Sequence, residues 1–158
     1  MAIVNIRDTG RNSAKTSDVR ELAEKVQKPS DTEAITAANT ITAAESGTRF
    51  VMNTATARIQ TLPTAAAGLE YWFYVGATEP TGSHTIVTAS SANVIVGNVS
   101  SPEDAAGNVA TVTDADTISL VASKAVHGDY VHVWSDGTNW YLDGMCKVQD
   151  GITTTQAS

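Results

Sequence analysis

Tyr130-Val131-His132-Val133-Trp134-Ser135-Asp136-Gly137-Thr138-Asn139-Trp140-Tyr141-Leu142 reads as two strands and the turn that joins them. Residues 130–134 alternate apolar and polar or aromatic side chains, the period of a strand with one covered face. Asp136-Gly137 is a favoured type I′ turn pair, because Gly tolerates positive φ. The spacing therefore predicts strands over 129–135 and 138–143. It also sets Trp134 and Trp140 beside the turn, where they are expected to pack across the two strands.

The same period extends backwards to about residue 33. Strands are expected at 34–42, 48–53, 57–62, 69–76, 84–89, 93–97 and 117–122, separated by Ser46-Gly47, Pro63, Gly68, Pro80 to Gly82 and Gly97-Asn98. Many short strands with frequent turn signals indicate a mainly β body: an antiparallel β-sandwich, jelly-roll-like or barrel-like. Leu69-Glu70-Tyr71-Trp72-Phe73-Tyr74-Val75 is apolar or aromatic on both faces, as in a central or covered strand. Residues 98–116 show no clear pattern and are expected to form a surface excursion. Upstream, residues 1–16 read as an extended arm. Residues 18–28 carry the one helical pattern, with Val19, Leu22, Ala23 and Val26 on one stripe, Asp18 and Glu21 as a capping box, and Pro29 as the stop. The expected division is an anchor of arm and helix over 1–30 and a β body over 31–158.

Charge follows the same division. Of the 17 acidic and 10 basic groups, residues 1–30 hold six basic and four acidic (net +2), and the remainder four basic and thirteen acidic (net −9). An acidic body with few cations disfavours nucleic acid, whose phosphates need clustered Lys or Arg. The 23 Ala and 22 Thr suit short strands and dense turns. No apolar run reaches the ~18 residues of a membrane-spanning helix, and Met1 to Arg7 lacks the pattern of a signal peptide.

Chemistry-bearing residues are sparse. His127, Asp129 and His132 invite a metal-site reading, but residues 129 and 132 of a strand face opposite sides; partly exposed structural histidines, His84 included, are expected instead. Glu103-Asp104 and Asp114-x-Asp116 lack the ligand spacing of a calcium loop. Cys146 stands alone and reads as a packing residue. Neither a phosphate loop nor a nucleophile elbow is present. No catalytic set, metal or cofactor is expected. Trp72, Trp134, Trp140 and Tyr141 are the candidate interface or ligand-contact aromatics, with core or interface favoured over a sugar platform.

Several segments together resemble small β-rich virion proteins of tailed phages, of the kind that decorate capsids. They are Ile41-Thr42-Ala43-Ala44-Glu45-Ser46-Gly47-Thr48-Arg49-Phe50, Ile59-Gln60-Thr61-Leu62-Pro63 and Ala67-Gly68-Leu69, then Ile86-Val87-Thr88 and Asn93-Val94-Ile95-Val96-Gly97. Gly128-Asp129-Tyr130-Val131 and Ser135-Asp136-Gly137-Thr138-Asn139-Trp140-Tyr141 complete the set, which covers most of the β body. The resemblance implies a non-enzymatic cement protein, made in the bacterial host cytoplasm and carried on the virion. It implies homo-oligomers, trimers foremost, that bind the major capsid protein. On that reading Ile3, Ile6, Arg7, Arg11, Lys15, Val19, Leu22 and Val26 are the capsid-binding candidates. A carbohydrate- or receptor-binding module of a head or tail fibre is the alternative.

Overall fold

The structure is a computed structural model that describes residues 31–102 and 109–158. The expected arm and helix, with all eight capsid-binding candidates, and the Glu103-Asp104 pair lie outside the described residues. The rest is mainly β. The strands are β1 (Thr32–Ile35), β2 (Asn39–Thr40), β3 (Arg49–Met52), β4 (Ile59–Thr61), β5 (Glu70–Val75), β6 (His84–Val87), β7 (Ile95–Ser100), β8 (Val109–Ala115), β9 (Thr117–Leu120), β10 (Tyr130–Ser135), β11 (Trp140–Met145) and β12 (Ile152–Thr155). They form a seven-stranded sheet, ordered β1-β3-β5-β10-β11-β7-β8, and a five-stranded sheet, ordered β12-β9-β6-β4-β2. Both sheets mix parallel and antiparallel pairs; β3, for example, runs parallel to β5, whereas β10 runs antiparallel to it.

Alternation builds the core. Tyr71, Phe73 and Val75 of β5 point inward with Phe50 and Met52 of β3, Val131 and Val133 of β10, and Trp140 and Leu142 of β11. The smaller sheet answers with Ile86, Ile118, Leu120 and Ile152. Phe50 stacks on Phe73 with ring centroids 5.3 Å apart, and Tyr71 tilts against Trp140 at 5.8 Å. The Tyr71 hydroxyl donates to the Thr42 carbonyl (3.0 Å), and burial pushes its pKa up to about 12.

The chain crosses between the sheets repeatedly, and by its shortest links at β1–β2 and at β8–β9. The stretch expected as one strand over 34–42 is interrupted at the first crossing. Arg58 Nε donates to the Thr36 carbonyl (2.7 Å) and the buried Gln60 Nε2 to the Ala37 carbonyl (3.0 Å), which occupies the groups a continuous strand would pair. At the β8–β9 crossing Asp114 takes a left-handed φ of 56°, and the Asp116 amide donates to the Thr155 carbonyl. Residues 98–116, expected as an excursion, instead supply the end of β7 and all described residues of β8.

The 130–142 hairpin forms, with a longer loop than a two-residue turn. Ser135 pairs with Trp140, leaving Asp136–Asn139 as the connection. The Asp136 carboxylate accepts from the Thr138 and Asn139 amides (2.8 and 2.9 Å) and from the Tyr141 hydroxyl (3.0 Å). These donors, the Asn139 amide foremost, hold the Asp136 carboxyl below the usual carboxylate range. Trp140 lies opposite the inward Ser135, so Trp134 and Trp140 are on opposite faces. The expected packing between them does not occur: Trp134 pairs with Tyr141, while Trp140 is buried.

Gly97 marks the tightest point of the large sheet. It has a φ of 147° at an irregularity in the β7–β8 pairing, and a Cβ built there overlaps the Leu142 carbonyl oxygen. Gly97→Ala is therefore expected to cost at least about 2 kcal/mol, from a conformation L residues rarely adopt and a forced separation of β7 from β11. Urea unfolding followed by far-UV circular dichroism reads this; a midpoint equal to that of the parent chain would contradict it.

Candidate functional site

The outward face of the seven-stranded sheet gathers an unusual share of the aromatic residues. The chain has three Trp, four Tyr and two Phe; Trp72, Tyr74, Tyr130, Trp134 and Tyr141 all lie on this one face. Cross-strand register arranges the face in rows. In the first, Val51, Tyr74, Tyr130 and Met145 are successive neighbours. In the second, Arg49, Trp72, His132 and Asp143 follow one another in the same way. The third runs Glu70, Trp134, Tyr141 and Val96.

The rings pack on each other across the strands. Trp72 and His132 stack at 4.3 Å with planes 4° apart, and Trp134 and Tyr141 stack at 4.3 Å with planes 15° apart. A centroid separation close to the strand spacing of about 4.8 Å means that the ring normals run across the strands. The rings therefore stand on edge and present rims rather than flat faces to solvent. Arg49 lies over the other side of Trp72, its guanidinium carbon 5.4 Å from the ring centroid. Both faces of Trp72 are thus occupied within the chain. A sugar platform needs a free ring face; a protein contact does not.

Charge on this face is thin. Glu70 lies 3.7 Å from His132 Nε2, an ion pair only with the imidazole protonated, and that nitrogen has no hydrogen-bond partner among the described residues. Trp134 and Met145 are 43% and 47% exposed, large for apolar side chains. Exposed aromatic and Met side chains with few charges are the composition of an interface centre rather than of a solvated surface. The outward side of the five-stranded sheet differs: Ile59, Thr85, Ser119 and Thr153 make one row, and Thr61, Val87, Thr117 and Thr155 the next, with no aromatic side chain in either.

Of the four aromatic candidates, Trp72, Trp134 and Tyr141 share this face. Trp140 does not: it is 1% exposed and sits in the core. Its side chain closes the floor of a small cleft of about 310 Å³ at one end of the sandwich, also lined by Pro63, Thr64, Thr88, Ser90 and Thr138, with no charged side chain. Tyr74, Tyr130 and Arg49 were not singled out by the sequence. Period-two counting from Trp72 and His132 would have placed them on the same side.

The histidines do not converge with Asp129. Asp129 turns inward and accepts from the Val126 and Lys147 amides (2.9 and 3.0 Å), while His132 points outward. Among the described residues no group of His, Cys, Asp or Glu is gathered as for a metal ion. No described helix is long and apolar enough to cross a membrane. His84, expected to be partly exposed, is fully buried. Its Nδ1 accepts from the Arg58 amide (3.1 Å) and its Nε2 donates to the Thr54 carbonyl (2.9 Å), so the neutral Nε2–H tautomer fits both partners. Comparison with known proteins finds no matching family model, curated protein or solved structure.

Burial pushes the His84 pKa below its ordinary value; the Thr54 carbonyl opposes this and the Arg58 charge adds to it. Because the folded value lies below the unfolded one of about 6.5, the neutral ring's contribution is complete above that pH and is lost as pH falls through the folded value. Stability is expected to decline on acidification below about pH 6.5, and His84→Gln to flatten that part of the profile. Urea midpoints measured between pH 8 and 5 check this; identical slopes for both proteins would contradict it.

Proposed function

We propose that this chain is a structural, non-enzymatic protein of a tailed-phage virion, decorating the outside of the capsid by binding the major capsid protein. Residues 1–30 act as the anchor and the β body is displayed. The observation that carries the reading is the outward aromatic face, whose edge-on, mutually stacked rings are protein-contact chemistry on a rigid sheet. The charge division supports the assignment of parts: a net +2 segment joined at β1 to a net −9 body. About sixteen extended residues reach roughly 50 Å, enough to pass between neighbouring capsid subunits. Binding only to the assembled shell stabilises that shell by linkage.

The second reading, a glycan-binding module of a fibre, rests on a different observation: the uncharged cleft floored by Trp140 and rimmed by Thr64, Ser90 and Thr138. Ser90 there adopts a left-handed φ of 58°, a strained conformation of the kind that collects at binding sites. Titration with neutral oligosaccharides separates the two, since occupancy beside Trp140 changes its fluorescence. The decoration reading expects no change.

Deleting residues 1–30 is expected to abolish co-sedimentation with purified capsids while the β signal in circular dichroism persists. A truncated chain that binds expanded capsids with unchanged affinity would contradict the anchor.

A further inference from the structure

We infer that the outward face of the seven-stranded sheet pairs with the same face of a second copy of this chain, about a two-fold axis running along the strands between β5 and β10. This rests on reading the face as a protein contact, but not on the virion role. A two-fold interface must be self-complementary, each patch meeting its symmetry mate. An axis between β5 and β10 sets β3 against β11 of the partner subunit and β5 against β10 of the partner subunit.

Every row of the face then matches. In the first row Val51 meets the partner's Met145 and Tyr74 meets the partner's Tyr130, apolar on apolar. In the second, Arg49 meets the partner's Asp143, and the same pair recurs on the other side of the axis. In the third, Glu70 meets the partner's Trp134, whose indole N–H is a donor for a carboxylate. No like charges are opposed. Aligned sheets cross at about 30°. Arg49 and Asp143 lie only about 7 Å from the axis, so the crossing displaces them by about 4 Å, within reach of an Arg side chain.

The area is of the right order. Six strands and three outward rows span roughly 29 by 20 Å. With side-chain relief this approaches the roughly 800 Å² per partner of a standard interface. A perpendicular axis through the same face would oppose Arg49 to itself and Asp143 to itself, so charge selects between the two arrangements.

The test is a charge exchange on the full-length chain, read by sedimentation equilibrium from 1 to 100 μM. The parent chain is expected at twice its 16.5 kDa mass. Arg49→Asp and Asp143→Arg each place like charges together twice per dimer, and each is expected to weaken association at least about 100-fold. The double variant Arg49→Asp/Asp143→Arg restores opposite pairs and is expected to regain the dimer. Circular dichroism and urea midpoints confirm that each variant is folded. A monomeric or trimeric parent, single variants that stay dimeric, or a double variant that stays monomeric would overturn the proposal. Capsid co-sedimentation of the same variants separates this from the functional reading: a monomeric parent whose single variants lose capsid binding would place the capsid, not a second copy, on this face.

Discussion

Strand alternation over a segment with apolar side chains on both sides is the constraint from which the rest follows. In β5, Tyr71, Phe73 and Val75 must turn one way and Trp72 and Tyr74 the other. The first set commits the sandwich core, where Phe73 stacks on Phe50 and Tyr71 leans on Trp140. The second set is left outside, on the face of the seven-stranded sheet turned away from the sandwich core. Pairing β5 with β10 then fixes what stands beside it: Tyr130 by Tyr74, and His132 by Trp72. A slip of one residue would exchange the two sets and empty the core, so the register is strongly determined. The outer aromatic face is therefore a consequence of the same pairing that builds the interior.

What that face can bind follows from ring orientation. Side chains stacked across strands spend their flat surfaces on each other and expose their rims. Trp72 is enclosed on both sides, by Arg49 and by His132. Such a surface is rigid before binding, which lowers the entropy lost on association. The described acidic groups of the body lie mostly in loops and edges, whereas the three rows of this face carry Glu70 and Asp143 against Arg49. Low charge and high aromatic content concentrate apolar contact here, while the hydroxyl-rich outer side of the smaller sheet remains compatible with water.

Much of this was legible in the sequence. The 130–142 hairpin and the aromatic strand at 69–75 announce themselves because each carries strong alternation or continuous apolar character. The edge strands do not. Of β8 only Val112 and Ala115 are buried, among Ala, Thr and Asp, so it lacks a readable period. β12 contributes one buried Ile and three Thr. The face of Trp140 hangs on the parity of the loop: the two-residue turn read from Asp136-Gly137 and the observed four-residue connection both set it opposite an inward residue, Val133 or Ser135, and so away from Trp134, whereas a slip of one residue would put the two Trp together. His84 was missed for another reason. Its partners are backbone groups of residues 54 and 58, distant in sequence and without a side-chain signature.

The central claim is that the aromatic outer face is a covered contact surface in the associated protein. Hydroxyl-radical footprinting of the full-length chain, read by mass spectrometry at increasing protein concentration, tests it most directly. Trp134 and Met145, both exposed in the single chain, are expected to lose reactivity as concentration rises, while the exposed Ile59 on the smaller sheet keeps its own. Equal reactivity of Trp134 and Met145 at every concentration would contradict the account.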